Sequence, residues 1–354
     1  MRKRYFHQLV LCAFMLLCLA SCIEKQTVRN VQLIISNSSN HDKQGVVNGI
    51  SLQAVMDSLQ VREASSIAIL DEQGQPVTTQ LFDNGQQKLL LFECSVLANG
   101  ESTYTLSTKA ANQQPLPPLP IAEQLRRLQQ INIQADSARA RLASAVYNWE
   151  INERTRQLDS ILQLLDVSLL GGSLYPYPNS APRNPWNYRK LDILSEGPLM
   201  CAYQLHYDTL RLAGDTLVEH RTLAMQRGSH ITLVRDVMEN AGHQDTLLLL
   251  NQLAIALPRQ RTDSLIVRES LSYLILADAD SGAKGLMVPG KSQSLTAADS
   301  HQVAFLLPFT PDSVLTYFVA NSAIPAEPLS LTDAQQELSQ MQDAPLRARI
   351  VVHE

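Results

Sequence analysis

Val77-Thr-Thr-Gln-Leu-Phe-Asp83-Asn84-Gly85-Gln-Gln-Lys88-Leu-Leu-Leu-Phe-Glu-Cys-Ser-Val96 is the stretch that decides the fold class. Two runs rich in apolar and β-branched residues flank an Asn-Gly pair. Glycine accepts positive φ at little cost, so Asn-Gly between two such runs is a strong hairpin signal. The reading extends outward in both directions. Val31 to Ser36 and Ser66 to Leu70 are short strand-like runs, and Asp71-Glu-Gln-Gly74 supplies a turn. Asn99-Gly100 turns the chain into Ser102-Thr-Tyr-Thr-Leu-Ser-Thr108. One helix interrupts the pattern from Ser51 to Leu59, where Leu52, Val55, Met56 and Leu59 share a face.

Gln113-Gln-Pro-Leu-Pro-Pro-Leu-Pro120 cannot join a ladder, because proline lacks the N–H donor. It marks a boundary. After it, Ile121, Leu125, Leu128, Ile131, Ala135, Ala138, Leu142, Ala145 and Trp149 recur at spacings of three and four. That period predicts a helical insertion near 121–165 whose apolar stripe packs on a sheet. Gly171-Gly172 ends it. Leu174 to Arg189 then reads as a long aromatic, proline-rich loop. From Lys190 the β pattern returns, with strand-like runs that include Leu199–Leu212, Thr216–Gln226 and Leu346–Val352. Thr332, with Gln335 three residues on, reads as the capping box of a short helix. The expected architecture is mainly β: a large antiparallel β-sandwich with one long helical insertion. The expected divisions are a leader over 1–21, an N-terminal β-sandwich portion over 22–112, a linker and helical segment over 113–165, and a C-terminal β-sandwich domain over 166–354.

The leader carries the clearest targeting signal. Arg2, Lys3 and Arg4 precede an apolar run from Leu9 to Ala20, and Leu19-Ala20-Ser21-Cys22 reads as a bacterial lipobox. The run is shorter than the ~20 residues that span a bilayer. Cys22 is therefore the expected lipid anchor. The expected location is the cell envelope, on the outer membrane.

Of 354 residues, 45% are hydrophobic, enough for a sizeable core, and the net charge is −5 with no Lys/Arg cluster beyond the leader. A nucleic-acid surface is not expected. Cys94 and Cys201 sit in apolar strand-like runs and read as separately buried thiols rather than a disulfide. His41, His206, His220, His230, His243, His301 and His353 are scattered without zinc spacing. No P-loop, GxGxxG, GxSxG or HExxH motif occurs. Neither a metal nor a cofactor is expected.

A register argument applies at Ala213-Gly214-Asp215. Taken as a three-residue hairpin loop, it places Leu205 opposite Leu223 and Tyr203 opposite Met225 on an apolar face. Asp208 and His220 then meet on the other face.

Three groups of segments together resemble one family. Val31-Gln-Leu-Ile-Ile-Ser-Asn37, Ile67-Ala-Ile-Leu-Asp-Glu-Gln-Gly74 and Ala98-Asn-Gly-Glu-Ser-Thr-Tyr-Thr-Leu106 look like its opening. Leu191-Asp-Ile-Leu-Ser-Glu-Gly-Pro-Leu199 through Ser229 looks like its middle, and Tyr317-Phe-Val-Ala-Asn321 followed by Ala344-Pro-Leu-Arg347 like its end. The family is the exported Bacteroidetes-type domain of unknown function 4861. The resemblance implies a galactose-mutarotase-like β-sandwich and a setting of polysaccharide breakdown, with lyase, dehydratase or hydrolase chemistry. The family's acidic aromatic strand segment has as its nearest counterpart Asn148-Trp-Glu150-Ile-Asn-Glu-Arg154, which here sits in a helical pattern.

In the enzymatic reading, Glu150 or Asp208 acts as acid or base, and His220 carries the proton. Arg154 or Arg189 clamps a carboxylate, while Tyr175, Tyr177, Trp186 and Tyr188 stack on sugar faces. The ligand is a polysaccharide-derived oligosaccharide. The other reading is a non-catalytic glycan-binding or scaffold lipoprotein on the same fold.

Overall fold

The computed structural model describes residues 29–108, 116–119, 121–123, 126, 173–177, 188–207, 210–212, 215–241, 252–259, 263–268, 272–278, 282–289, 294–299, 302–308, 312–320 and 329–352. The expected fold class holds: the protein is mainly β, in several antiparallel sheets with few helices.

The first sandwich is built from β1 (Asn30–Ser36), β2 (Lys43–Ser51), helix α1 (Leu52–Leu59), β3 (Ala68–Leu70), β4 (Pro76–Val77), β5 (Thr79–Asp83), β6 (Lys88–Val96) and β7 (Glu101–Ser107). Alternation drives it. In β1, Val31, Leu33 and Ile35 point to one face and are buried. They meet Leu90, Phe92, Cys94 and Val96 of β6 across the core, with Val55 and Leu59 of α1 closing one side. The Asn-Gly hairpin forms as expected: Asp83 pairs with Lys88, and Gly85 takes φ +81°. The Asp83 and Asn84 carboxyl and amide oxygens accept the Gly85 and Gln87 amides at 2.9 and 2.8 Å. Ser51 caps α1 through a 3.4 Å bond from the Ala54 amide.

The second sandwich uses β8 (Ser173–Tyr177), β9 (Tyr188–Glu196), β10 (Met200–Tyr207), β11 (Leu210–Leu212), β12 (Asp215–Gln226), β13 (Ile231–Asn240), β14 (Gln252–Pro258), β15 (Ser264–Arg268), β16 (Tyr273–Asp278), β17 (Gly282–Met287), β18 (Ser294–Asp299), β19 (Gln302–Pro308) and β20 (Val314–Ala320). A nine-stranded sheet runs β15-β16-β17-β20-β13-β12-β10-β9, with β11 paired to β12. A four-stranded sheet, β18-β19-β14-β8, packs on it. Tyr203, Leu205, Leu223 and Val234 from the large sheet meet Ile255, Leu257, Val303 and Phe305 from the small one. Helix α2 (Leu331–Gln340) lies on the opposite face of the large sheet, over Ile275, Ala283 and Ala320. The chain ends in β21 (Arg347–Val351), which pairs with β1 and so returns to the first sandwich.

The two sandwiches stack. β6 is buried on both faces: Phe92 faces the first core, while Leu91 packs on Leu199 and Met200 of the large sheet. Gln80 of β5 secures the contact. Its Oε1 accepts the Leu199 and Met200 amides at 2.8 Å each, and its Nε2 donates to Met200 O at 2.8 Å and Ser195 Oγ at 2.7 Å.

Several sequence expectations are corrected. Leu174 to Arg189 is not loop throughout, since β8 and β9 occupy its two ends. Pro176 is tolerated because β8 is an edge strand. Leu199–Leu212 divides into β10 and β11. Ser330, not Thr332, caps α2, accepting the Asp333 amide at 3.1 Å; a serine one residue before the first helical turn outcompetes a threonine inside it. Of the expected 121–165 helix, residues 121–123 and 126 are helical and the rest lies outside the described residues. Cys94 and Cys201 are separate, buried thiols, and burial pushes each up to about 12, so neither is a thiolate nucleophile. Among the described residues no helix is long and apolar enough to cross a membrane.

Candidate functional site

The face of the large sheet that carries α2 also carries a row of polar side chains farther along β9, β10, β12 and β13. His206 and His220 stand directly opposite each other in the β10–β12 ladder. Their Nδ1 atoms are 3.0 Å apart, and their rings meet edge to face with centroids 5.1 Å apart. His206 Nε2 lies 2.8 Å from Asp192 Oδ2, and Lys190 Nζ lies 2.7 Å from the same carboxylate oxygen. His220 Nε2 faces Glu239 at 4.0 Å. The two imidazoles are 26% and 27% exposed, so water and a small solute reach them.

The protons of this row follow from its ends. An ionised carboxylate only accepts, so His206 carries its hydrogen on Nε2, toward Asp192. A neutral His206 then offers a lone pair at Nδ1, and His220 Nδ1–H donates to it. His220 Nε2 is left with a lone pair at the exposed end. Taking up one proton there turns the base into an acid that faces the Glu239 carboxylate at ion-pair distance. Burial by itself pushes the Asp192 carboxyl up; hydrogen bonds from Lys190 and His206 outweigh it and hold that carboxyl below the usual range. Asp192 therefore keeps the charge that orients His206.

The opposite face of the same strands buries charge. Arg221 of β12 reaches Glu219 Oε1 through Nη2 at 2.6 Å and Asp236 Oδ2 of β13 through Nε at 2.9 Å. Its guanidinium carbon lies 5.2 Å from the Tyr207 ring centre. All three charged side chains are buried. Burial first, then the nearby Glu219 charge, pushes the Asp236 carboxyl well up, and Arg221 opposes this. Closed to solvent, this cluster is an internal tie rather than a substrate site.

An open cleft of 650 Å³ lies where the two sandwiches meet, lined by Gln80, Leu81, Arg126 and residues 193–197. Leu194 sits at a bulge in edge strand β9, where pairing jumps from Ser195 to Ile193; its side chain is exposed, as is Leu81. Arg126 Nε pairs with Glu196 at 2.6 Å at the cleft wall. The size suits a small ligand with apolar faces and a polar rim.

The expected residues fall unevenly. His220 is in the row, but its partner is His206, not Asp208. The β11–β12 turn is a two-residue connection with Leu212 opposite Asp215, and an irregularity between β10 and β11 shifts the ladder further. The slip is of two residues relative to the expected register, so the faces stay as expected while every partner changes. Tyr203 accordingly faces Leu223, and Leu205 faces the buried Arg221. Tyr175 and Tyr177 lie on β8, opposite Ala254 and Gln252 of β14. Tyr188 and Arg189 lie on β9, in the other sheet. Cys22, Glu150, Arg154, Trp186 and Asp208 lie outside the described residues. Asp192, His206 and Glu239 were not singled out as site residues. The available signal was parity: His206 and His220 occupy outward positions of neighbouring strands.

No curated protein matches the chain. Among solved structures, an α-mannosidase from Enterococcus faecalis V583 aligns with TM-score 0.48 at 10% identity, over 94% of this chain and 47% of that one. A glycosyl hydrolase family 38 protein from Enterococcus faecalis aligns with TM-score 0.49 at 11% identity, over 94% and 48%. The heparan sulfate lyase HepC from Pedobacter heparinus gives 0.29 at 11% identity, over 49% and 27%. The chain spans about half the length of the first two. A protein-family model matches as well: residues 35–156, from the end of β1 through β7 and onward, are similar to the domain of unknown function DUF4861.

Proposed function

We propose that the protein is a lipid-anchored carbohydrate-processing enzyme of the bacterial cell envelope, held to the outer membrane through Cys22 and acting on polysaccharide-derived oligosaccharides. The observation that carries this reading is the 3.0 Å His206–His220 pair, backed by Asp192 and open at His220 Nε2. Lyase, dehydratase and hydrolase reactions all need a proton removed or delivered at a defined point, and a partly exposed imidazole whose tautomer is set through a carboxylate is placed to do this. The leader supports the envelope part of the reading, and the carbohydrate part rests on the setting that the family resemblance implies, with a family match over residues 35–156. Asp192 and Ser195 are three residues apart on β9, about 10 Å at strand rise. A saccharide resting on Leu81 and Leu194 in the cleft thus extends toward the histidines.

The test is turnover of acidic and neutral oligosaccharides, with products read by mass spectrometry. Loss of one water without cleavage identifies a dehydratase, and a shortened chain a lyase or hydrolase. His220→Ala should lower kcat by about 10²–10⁴-fold, the usual contribution of a positioned acid or base. Asp192→Asn, which no longer dictates the His206 tautomer, should lower kcat with KM little changed. Full activity in His220→Ala, or binding of a glycan with no turnover of any, overturns the enzymatic reading; the latter outcome identifies a glycan-binding lipoprotein.

The anchor has its own test. Cys22→Ser should abolish labelling by a fatty-acid probe and shift the protein from the membrane to the soluble fraction. Unchanged labelling and fractionation would remove the lipid from the reading.

A further inference from the structure

We propose that His206 and His220 form a cross-strand chelate for a divalent transition-metal ion, of the type that prefers right-angle nitrogen coordination: Cu²⁺ first, Ni²⁺ second. The geometry points to it in three ways. First, the two Nδ1 atoms are 3.0 Å apart. With metal–nitrogen bonds of about 2.0–2.1 Å, that separation subtends about 94° at the metal, whereas tetrahedral coordination needs about 3.3 Å. A right angle is the geometry of square-planar or tetragonal sites, which select Cu²⁺ or Ni²⁺ over Zn²⁺.

Second, each ring has a carboxylate at its other nitrogen: Asp192 at 2.8 Å from His206 Nε2 and Glu239 at 4.0 Å from His220 Nε2. A metal-binding imidazole characteristically donates its remote N–H to such a group, which fixes its tautomer and raises its basicity. His206 already carries its proton on Nε2. Only one rearrangement is needed: the His220 proton moves from Nδ1 to Nε2, toward Glu239. Both Nδ1 lone pairs are then free, and no proton is gained or lost from neutral rings.

Third, the rings are held by the sheet. Residues 206 and 220 are directly paired in the β10–β12 ladder, so the chelate needs no ordering of loops. Among the described residues no group of three or more His, Cys, Asp or Glu converges on a point. The remaining coordination positions therefore belong to water or to a ligand from solution, which the partial exposure of both rings admits. The bound ion would occupy the place of the Nδ1–H···Nδ1 bond and interrupt proton exchange between the rings. The inference does not rest on the enzymatic reading, because binding is measured without substrate.

The test uses the full-length protein in detergent, titrated with Cu²⁺ and followed by calorimetry and electron paramagnetic resonance. The expected result is one tight equivalent whose spectrum is axial and shows coupling to imidazole nitrogen. His206→Asn and His220→Asn should each weaken that equivalent at least about tenfold, and Asp192→Asn by about 10-fold or more through the lost outer carboxylate. Zn²⁺ should bind more weakly than Cu²⁺. A readout on the unmutated protein covers variants that misfold: substoichiometric Cu²⁺ should broaden the His206 and His220 ring resonances before those of His41 and His230. Affinity unchanged in both histidine variants, or broadening that spares both rings, overturns the proposal.

Discussion

Arg221→Met is expected to destabilise the protein by about 3–5 kcal/mol, the cost of removing one partner from a buried ion cluster. Glu219 and Asp236 both reach Arg221 inside the second sandwich, at 2.6 and 2.9 Å, and neither has water to turn to. Methionine fills most of the volume but leaves two carboxyls without their cation. The pH dependence follows from the direction of the Asp236 shift. A carboxyl held above its ordinary range keeps its proton to higher pH in the folded state than in the unfolded chain, which releases it near its ordinary value of about 4. Stability from that proton is complete below the unfolded value and is lost as pH rises through the folded one. Without Arg221 the folded value moves higher still, so the deficit of the variant should be larger at pH 8 than at pH 5. Urea unfolding at the two pH values measures this through the midpoint. Replacing all three charges together, as Glu219→Leu, Arg221→Met and Asp236→Leu, should recover much of the loss, since apolar replacements of whole buried clusters are often neutral or stabilising. A single variant as stable as the parent at both pH values would show that the cluster is hydrated in solution.

Gly197→Ala is expected to cost about 2–5 kcal/mol, summed over the buried hydrogen bonds it displaces at about 1–3 kcal/mol each. A Cβ at this position would overlap the Gln80 carboxamide. Gln80 has nowhere to retreat without surrendering bonds to Leu199, Met200 and Ser195, and these bonds tie the first sandwich to the β9–β10 end of the large sheet. The loss should therefore appear as separation of the two units: protease cleavage between them, with the first sandwich retaining its own core of Leu33, Phe92 and Leu106. Gln80→Ala in the same background should add little, because its bonds are already broken. An additive double variant would show that the alanine acts elsewhere.

Local chemistry made much of the fold legible. The Asn84-Gly85 hairpin, the amphipathic helix α1 and the strand at Val31–Ser36 depend on residues within a few positions of each other, and all three form where the sequence placed them, with Ser51 as the cap of α1 rather than its first residue. The two faces of β10 and β12 were also legible, because burial obeys a period of two. Their partners were not. A slip of two residues preserves every face, so hydrophobic pattern alone is blind to it; turn geometry and the irregularity between β10 and β11 decide it. That is why His220 was recognisable as an outward polar residue while its companion was misassigned to Asp208.

By itself, then, the chain's order of residues determined an antiparallel β protein, because strand period, turn residues and side-chain polarity act over short distances; that Cys94 and Cys201 stay apart was decided by the structure. Tertiary structure alone decided which of those strands meet. It brought Asp192, His206, His220 and Glu239 together from four neighbouring strands, and placed Arg221 between Glu219 and Asp236 inside the sandwich. It also returned β21 to β1 across more than 300 positions and seated Gln80 against Gly197. Such contacts are set by long-range packing, whose energies depend on distances in space that no local pattern encodes.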